Sequence, residues 1–412
     1  MSDFGRRQVL AIAGAGLAGA VLPQITLAAG TATATAATAI TEVFGDGLRL
    51  TGVALEYAAE QVGNRLAMAD YTVADRRVTD VVTAGSTDPA TAAPAGRFVL
   101  VMLDPEDAAA QLYIAGGRSI TRLDPKATVV AGGSSIATSG VRNLVVDEFQ
   151  PRSFTDPASG GVLKYNLFVP RDYDPAVHYP LVLFMHDLSV TSDIQDQTLV
   201  QGLGAVVWAR PEEQARNPCF VLAPQFDVQV VDDQSNVDPQ GLLVVPLLAA
   251  LQQEFSIDAG RLYTTGQSGG GMLSIALDIA HPDLFAASLL VACQWDTAKV
   301  DPMAQQHLFI IVSQEDEKAY PGQNAITARL ETLGASVHRA VWNGRWSDVE
   351  FDAACAVLRG QGAQVNYVAL AAGTVLPAGA STEGASAHRA TWPIAYTIGG
   401  VRDWLFAQSK AG

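Results

Sequence analysis

The chain has 412 residues, 49% of them hydrophobic and 17% charged, which is too apolar for a disordered protein and too long for one ordinary domain. Its 37 glycines follow no three-residue period, so it is not collagen-like. Lys and Arg total 26 against 42 Asp and Glu, a net charge of −16; such a surface repels nucleic acid and anionic lipid and suits substrates that are neutral, cationic or reached through a local cleft.

Residues 1–29 have the order of an export signal: Arg6 and Arg7, an apolar run over 9–22, then small residues around Ala28. A helix over that run rises about 21 Å, short of the roughly 30 Å hydrocarbon core, so no stable membrane span is expected. The paired arginines resemble a twin-arginine signal, with Val9 where that motif usually has Phe, so an ordinary secretory route stays open. The protein is expected in the periplasm or outside the cell. Residues 30–40 (GTATATAATAI) read as a flexible leader.

Residues 41–145 show short strand-like runs and no 3.6-residue period. Leu48 and Leu50 alternate with polar neighbours, as do Val53, Leu55 and Tyr57, and the apolar phase flips at Gly52, which marks a β-bulge. Further runs at 65–73, 77–83 and 97–103 complete an expected immunoglobulin-like β-sandwich. It carries no chemically spaced cluster, so support or substrate presentation is its expected role.

From 150 to 412 the pattern changes. Strand-like runs at 163–169, 181–185, 219–223, 261–265, 286–292, 308–312, 337–342 and 365–370 alternate with helical stretches at 242–255, 271–280, 324–333 and 401–408. A further element at 351–359 lies between the last two strands. That alternation predicts a mostly parallel sheet flanked by helices. Cys219, Cys293 and Cys355 are too few for a disulfide framework, and their pairing is open.

The chemistry concentrates at Gly266-Gln267-Ser268-Gly269-Gly270, a G-x-S-x-G sequence between an apolar strand and a helix. The glycines let the chain bend sharply, so that Ser268 stands exposed as a nucleophile and the Gly269 amide is left free for an oxyanion. No G-K-[ST] follows, so a phosphate-binding loop is rejected.

A serine nucleophile needs a base and an orienting acid, here expected downstream in the order acid, then His. His307 precedes a strand and His338 lies within one. His388 follows the Gly- and Ala-rich loop 371–387, whose length suits a cover over a cleft, and is the expected base on that loop. The run Glu315-Asp316-Glu317 follows the strand at 308–312, at the edge where active sites form; Asp316 is the expected acid, with Asp348 and Asp352 as outsiders. The second oxyanion amide is expected after the strand at 181–185, at Asp187, and His186 reads as structural.

The pieces YNLFVP (165–170), YPLVLFMH (179–186), VLAP (221–224), DAGRLYTTGQSGG (258–270) and PDLF (282–285) resemble α/β-hydrolase esterases of the polyhydroxybutyrate-depolymerase-like and feruloyl-esterase-like group. Some of these carry an N-terminal immunoglobulin-like domain. The resemblance spans about 162–312. It implies Ser268 as nucleophile, Asp316 as acid and His388 as base, with ester hydrolysis through an acyl-enzyme. Where that family usually has Gly after the strand-end His, this chain has Asp187, a carboxylate beside a site that must hold negative charge. No cofactor or metal is expected, and the substrate is a neutral ester, small or polymeric. A serine peptidase of the same fold and a non-catalytic binding protein are the rival readings.

Overall fold

The computed structural model describes residues 33–63, 66–116, 119–377, 379–380 and 385–410. The expected export signal lies outside them. Among the described residues, no helix is long and apolar enough to cross a membrane.

The N-terminal part is all β. Its strands are β1 (Ala36–Phe44), β2 (Gly47–Val62), β3 (Tyr71–Val73), β4 (Val78–Ala84) and β5 (Ala95–Leu103), then β6 (Tyr113–Gly116), β7 (Ser119–Arg122), β8 (Thr128–Ala131), β9 (Ser134–Ala137) and β10 (Gly140–Asn143). Five of them form a sheet in the order β10-β1-β2-β5-β4, three a smaller sheet, β3-β8-β9, and β6 pairs with β7. Inward residues such as Ala39, Val53, Leu55, Val99 and Val101 are fully buried. Each buried aliphatic of Val or Leu size contributes about 2 kcal/mol. The phase flip at Gly52 is a bulge one residue away: Ile40 pairs with Gly52 but Thr41 pairs with Leu50, leaving Thr51 as the extra residue. The leader expected over 30–40 is corrected at its end, because β1 starts at Ala36 with Ala37, Ala39 and Ile40 buried. A Thr/Ala alternation that reads as low complexity is also a period-two strand of small side chains.

The C-terminal part is built on a nine-stranded sheet. The strands are β11 (Gln150–Thr155), β12 (Val162–Phe168), β13 (Tyr179–Met185), β14 (Phe220–Gln225), β15 (Ile257–Gln267), β16 (Ala287–Val291), β17 (Leu308–Ser313), β18 (Val337–Trp342) and β19 (Val365–Leu370). Their order is β11-β12-β14-β13-β15-β16-β17-β19-β18. The pairs β11–β12 and β12–β14 are antiparallel and the others parallel. Strands β13 and β17 are buried along their whole length, as continuous apolar runs covered on both faces require. The carboxyl ends of β13, β15 and β17 therefore lie along one edge, and the chain turns there into the segments that carry chemistry.

The two parts share one apolar cluster that runs from Val53 and Leu112 to Phe184 and Tyr396. A Cβ on Gly45 would stand 2.3 Å from the Pro393 ring, and Arg122 Nη1 meets Asp196 Oδ1 at 2.7 Å. The β-domain is packed against elements of the C-terminal part, not merely tethered to them.

Candidate active site

Strand β15 ends at Gln267, and the helix Gly269–Ala280 begins immediately after Ser268. Ser268 has φ 53° and ψ −120°, a conformation that costs a non-glycine residue about 1–3 kcal/mol. The bend is held because nothing larger than glycine fits around it. A Cβ on Gly266 would lie 2.3 Å from the Gly270 backbone, and one on Gly270 would lie 1.9 Å from the Met185 carbonyl oxygen. A Cβ on Gly269 would meet the Leu188 side chain at 2.4 Å. The loop after β13 is thus pressed onto the first turn of the helix. The Ser268 amide donates to the Val291 carbonyl at 3.0 Å, tying the bend to β16. Among the described residues, neither the Gly269 nor the Asp187 amide donates a hydrogen bond to the protein.

His186 fixes that neighbouring loop. It is 1% exposed; its Nε2 accepts from the Phe226 amide at 3.0 Å, so Nδ1 carries the proton toward the Asp187 carbonyl at 2.8 Å. Burial pushes its pKa down, against the pull of Asp187, which keeps the ring neutral. The structural reading of His186 stands on these bonds.

Asp316 lies just past β17 and is 4% exposed. Its Oδ1 accepts from the amides of Ala319 (2.9 Å) and Lys318 (3.1 Å), and its Oδ2 is 2.5 Å from His388 Nδ1. Burial opposes ionisation, but the hydrogen bond and charge of His388, helped by those two amides, hold the carboxyl below its ordinary range. An ionised carboxylate only accepts, so Nδ1 is the donor and Nε2 of the same ring is left as an acceptor. Trp392 packs edge-on to the ring, with centroids 5.5 Å apart.

The expectation that His388 sits on a loop is corrected: it lies in the first turn of the helix Ser386–Thr397. Ala387, Thr391 and Ala395 are the buried face of that helix at four-residue spacing. Pro393 within the segment disguises the period. Residues 378 and 381–384 of the loop expected to cover the cleft lie outside the described residues.

Ser268, Asp316, His388 and Asp187 line one cavity of about 370 Å³. His307 and His338 do not line it. Among the described residues Ser268 Oγ makes no standing hydrogen bond to the His388 ring; such bonds often tighten only around bound substrate. Leu188, Met272 and Trp392 form the apolar part of the wall. Sequence reasoning missed a polar bridge on the rim, where Lys318 Nζ meets Asp233 Oδ2 at 2.7 Å and Gln294 Nε2 reaches Asp233 Oδ1 at 3.5 Å. Lys318 and Gln294 follow the ends of β17 and β16 and could have been placed on that edge. Asp233 comes from a loop with no readable pattern. Among the described residues, no group of three or more His, Cys, Asp or Glu could hold a metal ion.

Residues 36–142 match the family of esterase immunoglobulin-like N-terminal domains. A solved structure of a thermostable esterase is 24% identical, with TM-score 0.76, covering 91% of this chain and 100% of that one. A feruloyl esterase module from Clostridium thermocellum is 12% identical, with TM-score 0.41, covering 60% of this chain and 87% of that one. A ferulic acid esterase from the anaerobic fungus Anaeromyces mucronatus is 14% identical, with TM-score 0.38, covering 61% and 91%. None of the curated proteins matches the chain. The fold is an α/β hydrolase preceded by an immunoglobulin-like domain, as expected from the sequence.

Proposed function

We infer that the chain is an exported serine hydrolase that cleaves carboxylic esters through an acyl-enzyme on Ser268, His388 and Asp316. The observation that carries this reading is the 2.5 Å bond between His388 Nδ1 and Asp316, which leaves Nε2 as a free base on the cavity that Ser268 also lines. Ser268 Oγ attacks the ester carbonyl while Nε2 takes its proton, and the carbonyl π electrons move to the oxygen. The amides of Gly269 and Asp187 sit on segments in direct contact and are available to hold that oxyanion. Collapse expels the alcohol, which takes the proton from Nε2. Water, deprotonated by the same nitrogen, then releases the acid and regenerates Ser268. Asp316 keeps the ring in the productive tautomer throughout. The matched N-terminal family and the esterase of the same fold support an ester substrate over a peptide. The sequence order of residues 1–29 supports export.

The test is labelling with a fluorophosphonate probe, followed by identification of the modified peptide. A label on Ser268, with hydrolysis of p-nitrophenyl esters and no cleavage of peptides, is the expected result. Absence of both label and hydrolysis overturns the reading in favour of a binding protein. Peptide cleavage shifts it to a peptidase.

A further inference from the structure

Among the described residues, one carboxylate on the cavity wall is nearly buried and has no cation paired with it. Asp187 is 3% exposed, yet it lines the cavity. Its Oδ1 accepts from the amide (2.8 Å) and hydroxyl (2.5 Å) of Ser189. Among the described residues, Oδ2 has no hydrogen-bond partner, and no cation pairs with either oxygen. The phenol nearby belongs to Tyr113; burial holds it protonated, and the Asp187 charge adds to that effect, so it supplies no countercharge.

The other carboxylates on the wall are provided for. Asp316 is bonded to His388, Asp233 is paired with Lys318, and Glu317 is exposed to water. Among the described residues of the lining, four carboxylates (Asp187, Asp233, Asp316, Glu317) face two cations (Lys318, Arg389), a balance of −2 apart from the imidazole. Lys318 is already engaged, and Arg389 stands half-buried on the helix that carries His388. The free oxygen of Asp187 is thus turned to the cavity, where a cation on a bound substrate would meet it with less water between them than at the surface. A substrate that brings the countercharge gains that attraction when it binds. Trp392 adds an aromatic wall to the same space, a surface that attracts quaternary ammonium groups.

We propose that Asp187 is a specificity-determining residue, and that the preferred substrate is an ester bearing a positively charged amine or quaternary ammonium group. The proposal rests on the esterase reading of the site and refines the neutral substrate expected from sequence. It concerns the carboxylate of Asp187; the backbone amide serves the oxyanion separately.

The experiment compares kcat/KM for acetylcholine with that for 3,3-dimethylbutyl acetate, which has the same shape without the charge. Roughly tenfold preference for the cation is expected in the unaltered protein, the scale of one partly screened charge pair. In Asp187→Asn the ratio falls to about one, while Asn still offers Ser189 an acceptor and keeps the loop. Glu331→Gln, a change at an exposed carboxylate that does not line the cavity, keeps the preference. Where neither acetate is turned over, inhibition of p-nitrophenyl butyrate hydrolysis by choline against 3,3-dimethylbutanol gives the same comparison. A ratio near one in the unaltered protein, or an undiminished ratio in Asp187→Asn, overturns the proposal. The two readings fail differently: without a label on Ser268 the hydrolase reading itself is lost, whereas a labelled enzyme indifferent to charge loses only this inference.

Discussion

Ser268 and His388 reach the cavity by opposite constructions. Ser268 stands on a bend sealed by contacts: its neighbours Gly266 and Gly270 have backbone atoms 2.3 and 1.9 Å from where a Cβ would be, and the bend is tied to β16. His388 stands at the start of a helix that follows a long Gly- and Ala-rich segment, and it is located by one carboxylate, Asp316. The first is fixed by exclusion, the second by a hydrogen bond. Steric fixing leaves a signature in the sequence, because only glycine satisfies it. Fixing by a partner 72 residues away leaves almost none.

The largest expected effect breaks the proposed nucleophile. Ser268→Ala should lower kcat for a p-nitrophenyl ester by about 10⁶-fold and abolish fluorophosphonate labelling, with the thermal transition little changed. Retention of a substantial rate would mean that the sealed bend serves something other than attack. Next comes the bond on the other side. Asp316→Asn offers His388 an amide in place of a carboxylate and favours the wrong tautomer, so kcat should fall about 10⁴-fold with KM nearly unchanged. The same substitution has a stability signature. The Asp316 carboxyl is held below its ordinary range, so its contribution is present above the unfolded value near 3.9 and is lost as pH falls through the lower folded value. Urea melts of the two proteins should therefore converge in strong acid.

A matched pair of glycine substitutions sharpens the contrast between exclusion and partnership. Gly270→Ala drives a methyl into the Met185 carbonyl and should cost about 3 kcal/mol or more, together with most of the activity. Gly373, on the segment leading to His388, has φ 74° and open space around the position of a Cβ. Gly373→Ala meets only backbone strain, about 1 kcal/mol. Equal losses from the two changes, measured by denaturant unfolding, would show that the bend is not specially sealed.

What could be read from the sequence follows the same division. The β18 and β19 boundaries agree with the expected runs at 337–342 and 365–370; β18 carries His338 and Arg339, but Gly334 before it and Asn343-Gly344 after it mark its ends. The glycine-flanked Ser268 was visible for the steric reason already given. Asp316 and His388 could be placed on the right edge of the sheet from strand ends and chain order, whereas their contact depends on the packing of the helix Ser386–Thr397. That helix was hidden by Pro393 and by a buried face on which Ala387, Thr391 and Ala395 precede its one large residue, Tyr396. The strand from Ala36 was missed for a related reason, since small side chains carry little hydropathy contrast. The rim bridge between Asp233 and Lys318 joins loops 85 residues apart, and nothing local encodes it.

The helix that begins at the Ser268 bend carries a buried carboxyl near its far end, and a pH-dependent measurement reaches it. Asp278, two residues before the close of the helix Gly269–Ala280, is 1% exposed. Its Oδ1 accepts from Ser288 Oγ at 2.9 Å and its Oδ2 is buried without a partner. Burial pushes its pKa up to about 8, only partly offset by the Ser288 bond. The folded protein therefore keeps this proton to higher pH than the unfolded chain, whose aspartate releases it near 3.9. The native state binds more protons across that window, so stability falls as pH rises through it, by at most about 1.4 kcal/mol for the step from pH 6 to pH 7. Asp278→Asn keeps the acceptor for Ser288 and removes the titration. Its unfolding free energy, plotted against pH, should lose this component between pH 5 and 8, and the variant should gain on the unaltered protein as pH rises. A constant difference between the two proteins over that range would mean that Asp278 is ionised in the fold, and that the helix behind Ser268 tolerates a buried charge.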